Sequence, residues 1–137
     1  MTPSVLDRCT ADSFSGTSFP DTLATLTREG VEWYSANLII GMKTYYGGDL
    51  SRHSTPWPNW ETPSIADQFS PDKVSAAIRA SQAREIDYRT FLERIAEAGV
   101  TYYTVHLSGR KAIYFGRHGD FFGEPFPLGG VESRRDK

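Results

Sequence analysis

Residues 19–47 align with residues 88–116, without a gap, at a constant offset of 69 positions. Leu23, Gly30, Val31, Tyr34, Leu38, Tyr45 and Gly47 recur as Leu92, Gly99, Val100, Tyr103, Leu107, Tyr114 and Gly116, against roughly two identities expected by chance at ordinary composition. Conservative pairs extend the match: Phe19 with Tyr88, Leu26 with Ile95, Trp33 with Tyr102, Ser35 with Thr104 and Tyr46 with Phe115. A chain written this way is expected to fold as two copies of one supersecondary unit, each covering apolar surface that the other exposes.

Each copy reads as a helix, a glycine stop and a hairpin. Ser18 and Asp87 hold the same repeat position and suit an N-cap, where a side-chain oxygen accepts from an amide of the first turn. Phe19, Leu23 and Leu26 follow at helical spacing, as do Tyr88, Phe91, Leu92 and Ile95. Gly30 and Gly99 then fall where a helix end wants a left-handed residue. Beyond them the period changes to two over residues 31–40 and 100–107, which predicts strands. Second strands are expected near residues 43–47 and 111–116, after turns containing Gly41 and Gly109.

The offset also carries upstream. Ser70, Pro71 and Asp72 form a cap and first turn, and Val74, Ala77, Ile78 and Ser81 line one face of a helix ending near Arg84. Val5 and Cys9 match Val74 and Ile78 within a weaker helix around residues 4–12. The predicted unit is therefore α-α-β-β, repeated over 2–49 and 71–118. At 137 residues the chain has the length of one domain, whereas two separate lobes of about 50 residues would each be marginal for a core. The expected fold is α+β, an antiparallel sheet with the helices mainly on one face. Residues 50–69, with Pro56, Pro58, Pro63, Trp57 and Trp60, read as a stiff connection, too proline-rich for a helix or central strand. Residues 121–127 suit an edge strand and 128–137 a solvated tail.

Charge and cysteine content narrow the partners. A net charge of -2 disfavours a general nucleic-acid binder, which needs a basic face to displace counterions. No apolar run approaches the length of a membrane span. Cys9 is the only cysteine, so no intrachain disulfide forms, and residues 1–10 lack a basic-then-apolar leader. Both points lead to an expected cytoplasmic location.

The run AGVTYYTVHLSGRKAIYFGRHGDFFGEPFP at residues 98–127, and FSPDKVSAAIRASQAREIDYRTFLERI upstream of it, resemble an uncharacterised bacterial and phage-encoded family of the YbcV and YdfO type. The stretch SFPDTLATLTREGVEWYSANL followed by KTYY is similar to that family's N-terminal half. The resemblance implies an α+β protein of prophage or mobile-element context and implies little about activity. Where the family commonly has Asn before Gly-Asp this chain has His118, and where it often has His-Val-Glu it has Phe122, Gly123 and Glu124.

Three classes of function follow. The leading expectation is a non-enzymatic binding or regulatory module for a small molecule or host protein, with an aromatic cleft at the hairpins formed by Trp33, Asn37, Tyr45, Trp57, Trp60, Tyr102, His106, Arg110 and Tyr114. The second is a small hydrolase or transferase using His106 or His118 with Asp120, although no nucleophile elbow, phosphate loop or dinucleotide fingerprint accompanies them. The third is a protein-protein interaction module, with a homodimer as one option. No cofactor is expected. Nor is a metal, since His53, His106 and His118 lack the close spacing of a ligand set.

Overall fold

The computed structural model describes residues 1–126. Its elements are α1 (Pro3–Phe14), α2 (Phe19–Arg28), β1 (Val31–Asn37), β2 (Met42–Gly47), β3 (Arg52–Pro56), α3 (Pro71–Gln82), α4 (Tyr88–Glu97), β4 (Val100–His106), β5 (Lys111–Gly116) and β6 (Phe121–Pro125). The fold is α+β, with one six-stranded antiparallel sheet in the order β3-β2-β1-β4-β5-β6. The tail expected over 128–137 lies outside the described residues.

Local chemistry sets the helix limits. The Ser18 hydroxyl accepts from the Asp21 amide at 3.3 Å, Asp87 Oδ1 from the Thr90 amide at 2.8 Å and the Ser70 hydroxyl from the Lys73 amide at 3.2 Å, each satisfying a donor that the first turn would leave unpaired. Gly30 and Gly99 end α2 and α4 with φ of 81° and 96°, conformations that a Cβ would oppose.

The expected α-α-β-β unit is one strand short. Arg52–Pro56, assigned above to the connection, is an edge strand paired with β2 from Tyr46↔Arg52 to Met42↔Pro56. An edge strand pairs on one side only, so the proline at its end is tolerated there. Phe121–Pro125 forms the opposite edge against β5. Both halves thus have the element order α-α-β-β-β. They join through β1 and β4, where Trp33 faces His106, Ser35 faces Thr104 and Asn37 faces Tyr102.

One face of the sheet is packed. Tyr34, Ala36, Tyr45, Tyr103, Val105 and Tyr114 from the strands share a core with Leu6, Leu26, Val74, Leu92 and Ile95 from the helices, each fully buried aliphatic contributing about 1.5–3 kcal/mol. Register shifts between Val31 and Trp33, and between Val100 and Tyr102, mark a bulge at the same place in each half. The extra residue puts Val31 and Tyr34 on the core side together and turns Trp33 to the open side. The chain after β3 is a strap held to the β1–β2 turn and to α4. The Trp60 indole donates to the Leu38 carbonyl at 2.9 Å, and the Ala66 and Ser70 amides donate to the Ala96 and Ala98 carbonyls at 3.0 and 2.8 Å. Trp60 lies so close to Gly41 that a Cβ there would come within 2.2 Å of its ring.

Candidate functional site

Between the packed face of the sheet and the helices lies a chamber of about 740 Å³. Its floor is Tyr34, Lys43, Tyr103, Val105, Ala112 and Tyr114, its wall includes Tyr88 and Phe91 of α4 with Ile78 of α3, and Phe19 and Phe126 close one side. The mouth opens between the α1–α2 loop, residues 16–18, and the α3–α4 loop, residues 84–87. Arg84 Nη2 donates to the Gly16 carbonyl at 2.8 Å and ties the two loops together. Glu85 and Asp87 stand exposed at this opening, and Glu124 is half-buried beside it.

Lys43 is the exceptional residue of the chamber. The residue is 2% exposed, yet among the described residues no carboxylate is a partner. There Nζ meets the Ser13 hydroxyl, at 3.5 Å, and the faces of Tyr34 and Tyr88, with ring centroids at 5.1 and 4.8 Å. The two rings supply part of the lost hydration through their quadrupoles. Burial still dominates, and it lowers the ammonium from its ordinary 10.5 to about 8, with Cys9 acting weakly in the opposite sense. Desolvation likewise pushes the phenols of Tyr34, Tyr88, Tyr103 and Tyr114 upward, so they are neutral donors at physiological pH. The Tyr88 and Tyr103 hydroxyls bond each other. Those of Tyr34 and Tyr114 make no hydrogen bond among the described residues.

The nine residues expected to share one aromatic cleft are divided among five places: the open face of the sheet, two turns, the strap, the core and the chamber. Trp33, Tyr102 and His106 lie on the open face of the sheet. There Trp33 stacks on Tyr46 at 4.0 Å and lies flat beside His106 at 5.8 Å, and Tyr102 stacks on Phe115 at 4.6 Å. A shallower depression of about 380 Å³ adjoins Trp33 and His106. Asn37 Oδ1 accepts from the Ile39 and Ile40 amides, and Arg110 adopts φ 53° in the β4–β5 turn, so both shape turns. Trp57 is buried against Phe14 and Trp60 and fills space in the strap. Its indole N–H has no partner among the described residues. Tyr45 is buried and bonded to Thr10 at 2.8 Å. Of the nine, Tyr114 alone lines the chamber.

The acid-base pairings expected for catalysis are not formed. His106 Nε2 bonds Thr104 Oγ1 at 3.0 Å, and burial followed by Lys111 lowers its pKa. His118 bonds Asp67 of the strap at 3.0 Å, and this contact holds the Asp67 carboxyl below its usual range. Asp120 instead uses its main-chain carbonyl to accept from the Gly116 amide. Among the described residues no three His, Cys, Asp or Glu side chains converge on a metal-sized site.

Lys43 is not marked as a site residue by its sequence context, because a charged side chain in a hairpin is ordinarily solvated. Two signals mark it in retrospect. It lies two positions from core-facing Tyr45 and therefore on the same face, and at the offset of 69 it matches Ala112, a small apolar residue. Tyr34, Tyr88 and Tyr103 are legible in the sequence as repeat-matched aromatics but not as the lining of one space.

Residues 9–123 match the model of a family described as protein of unknown function (DUF1398). The chain is 30% identical over 120 residues to uncharacterized proteins of Mycobacterium bovis and Mycobacterium tuberculosis, a match that covers 82% of this chain and 71% of each relative.

Proposed function

The chain belongs to the DUF1398 family of proteins of unknown function, and on that footing we propose that it binds a small, largely apolar molecule in the chamber between sheet and helices. The observation that carries this reading is Lys43, an ammonium buried in a space of ligand size with no carboxylate among the described residues to meet it. A folded chain does not ordinarily keep an unpaired buried charge, because its desolvation costs several kcal/mol. A bound molecule that completes the site gives that cost a purpose, and the tyrosine-rich lining with few polar groups suits such a ligand.

The test is a thermal-shift and native-mass-spectrometry screen of apolar small molecules, repeated on Ala112→Phe, which places a ring in the chamber. Ligands that stabilise the wild type should lose their effect in the variant. Unchanged ligand shifts in a folded Ala112→Phe protein would move the binding site elsewhere.

The resemblance of residues 98–127 to phage-encoded sequences supports an origin in mobile elements, and the lone thiol of Cys9, buried and unpaired, suits a reducing cytoplasm. Among the described residues no helix is long and apolar enough to cross a membrane. A second reading assigns the open sheet face to contact with another protein. Its support is the pair of aromatic stacks, Trp33 with Tyr46 and Tyr102 with Phe115, left uncovered by the helices. Sedimentation across a concentration series, with Tyr102→Lys as the disrupting variant, tests it. A mass that stays monomeric and ignores the substitution would remove self-association through this face.

A further inference from the structure

We propose that the chamber selects a monocarboxylic acid with an apolar, aromatic or long aliphatic body, its carboxylate held by Lys43; this inference rests on the chamber being the binding site. On the floor of the space the polar groups without a strong partner among the described residues are the Lys43 ammonium and the Tyr34 and Tyr114 hydroxyls, and all three donate. A ligand head that accepts hydrogen bonds and carries negative charge satisfies them; an amine or a second cation does not. The charge count favours a carboxylate over a phosphate. One buried monovalent cation offsets one negative charge, and the one arginine of the lining, Arg84, is exposed in the α3–α4 loop with Nη2 donating to the Gly16 carbonyl, so it adds no fork beside Lys43. Glu85, Asp87 and Glu124 around the mouth repel a dianion more than a monoanion.

Geometry gives the ligand its direction. Lys43 extends from β2 beneath Tyr34 and Tyr88, whereas its counterpart across the chamber is Ala112, which offers no charge. The head is therefore seated at the β2 side, and the body lies along Tyr103, Phe91 and Tyr114.

Binding is also linked to protons. Among the described residues the groups that face Lys43 are Cys9 and Ser13 of α1, Tyr34 of β1 and Tyr88 of α4, none of them a carboxylate. The free ammonium gives up its proton near pH 8, so above that pH binding of the carboxylate returns a proton from solvent to Lys43, and the affinity should fall by about tenfold per pH unit.

A matched fluorescent pair, 1-pyrenebutyrate and 1-pyrenebutanol, tests the assignment by titration into the full chain and into Lys43→Met and Tyr34→Phe. The acid should bind the wild type at least tenfold more tightly than the alcohol at pH 7. That preference should collapse to about twofold or less in Lys43→Met. Tyr34→Phe should retain the preference in reduced form. Equal binding of the two probes by the wild type, a preference that survives in Lys43→Met, or binding of the alcohol alone would each overturn the carboxylate assignment and leave the chamber as a binding site. Binding of neither probe would remove the chamber reading and this one with it.

Discussion

Ser35 and Thr104 stand directly opposite each other on the two central strands and are separated in sequence by the same 69 positions that align the two halves. Any neighbouring pair in this ladder converts into another by that offset: Tyr34 with Val105 becomes Tyr103 with Ala36. The flanking bonds obey the same rule, with the Leu38 amide donating to Thr101 and the Leu107 amide to Glu32. The sheet therefore has an approximate twofold axis through its centre, and departures from it stand out as positions with separate demands on them.

Lys43→Met should stabilise the ligand-free protein. The fall of the ammonium from 10.5 to about 8 corresponds to about 3 kcal/mol against folding at neutral pH. Between pH 8 and 10.5 the unfolded chain holds the proton that the folded chain has released, so this penalty fades as pH rises. Urea melts should show the variant ahead by about 2–3 kcal/mol at pH 7 and by much less at pH 10. Comparison with the variant cancels the tyrosine ionisations that lower stability at the alkaline end.

Tyr103→Phe removes one half of the hydroxyl pair with Tyr88 and leaves the other without its partner, at an expected cost of about 1–2 kcal/mol. The double variant Tyr88→Phe/Tyr103→Phe should cost less than the two single changes added together. Additive losses in a denaturation cycle would show that the two hydroxyls are not coupled.

Gly41→Ala and Gly30→Ala should differ although both residues have positive φ. An alanine at position 30 meets nothing within 4 Å, so only the backbone penalty of about 1 kcal/mol applies. At position 41 the new methyl collides with Trp60, and the combined cost rises to about 2–4 kcal/mol. Displacement of Trp60 should red-shift the tryptophan emission in Gly41→Ala alone.

His106 should titrate below the ordinary 6.5 in a proton NMR experiment, because partial burial and then Lys111 disfavour its charged form. Lys111→Met should bring the midpoint part of the way back. A midpoint unmoved by that change would assign the effect to burial alone.

Much of this architecture is legible in the residues because its limits are written in local chemistry. Ser18, Ser70 and Asp87 cap helices through their own side chains, and Gly30 and Gly99 end them through backbone conformation, so no distant contact is needed to recognise them. β3 is less legible because Pro56 argues against a strand unless its place at the edge is known, and that place is set by pairing with β2. The open and packed faces resist a reading by alternation because the bulges before Trp33 and Tyr102 add a residue to the period. The chamber is hardest to see. Its lining comes from Tyr34, Lys43, Tyr88 and Tyr114 on four different elements, and a space between elements has no period of its own.

The replacement of Ala112 by Lys43 at the matched position has a stereochemical consequence. A chamber whose two halves were alike would admit an elongated guest equally well in either of two opposed poses, and its occupants would be distributed between them. A single charged side chain on one half makes those poses unequal, so a scaffold with near-symmetric walls can hold a guest in one orientation.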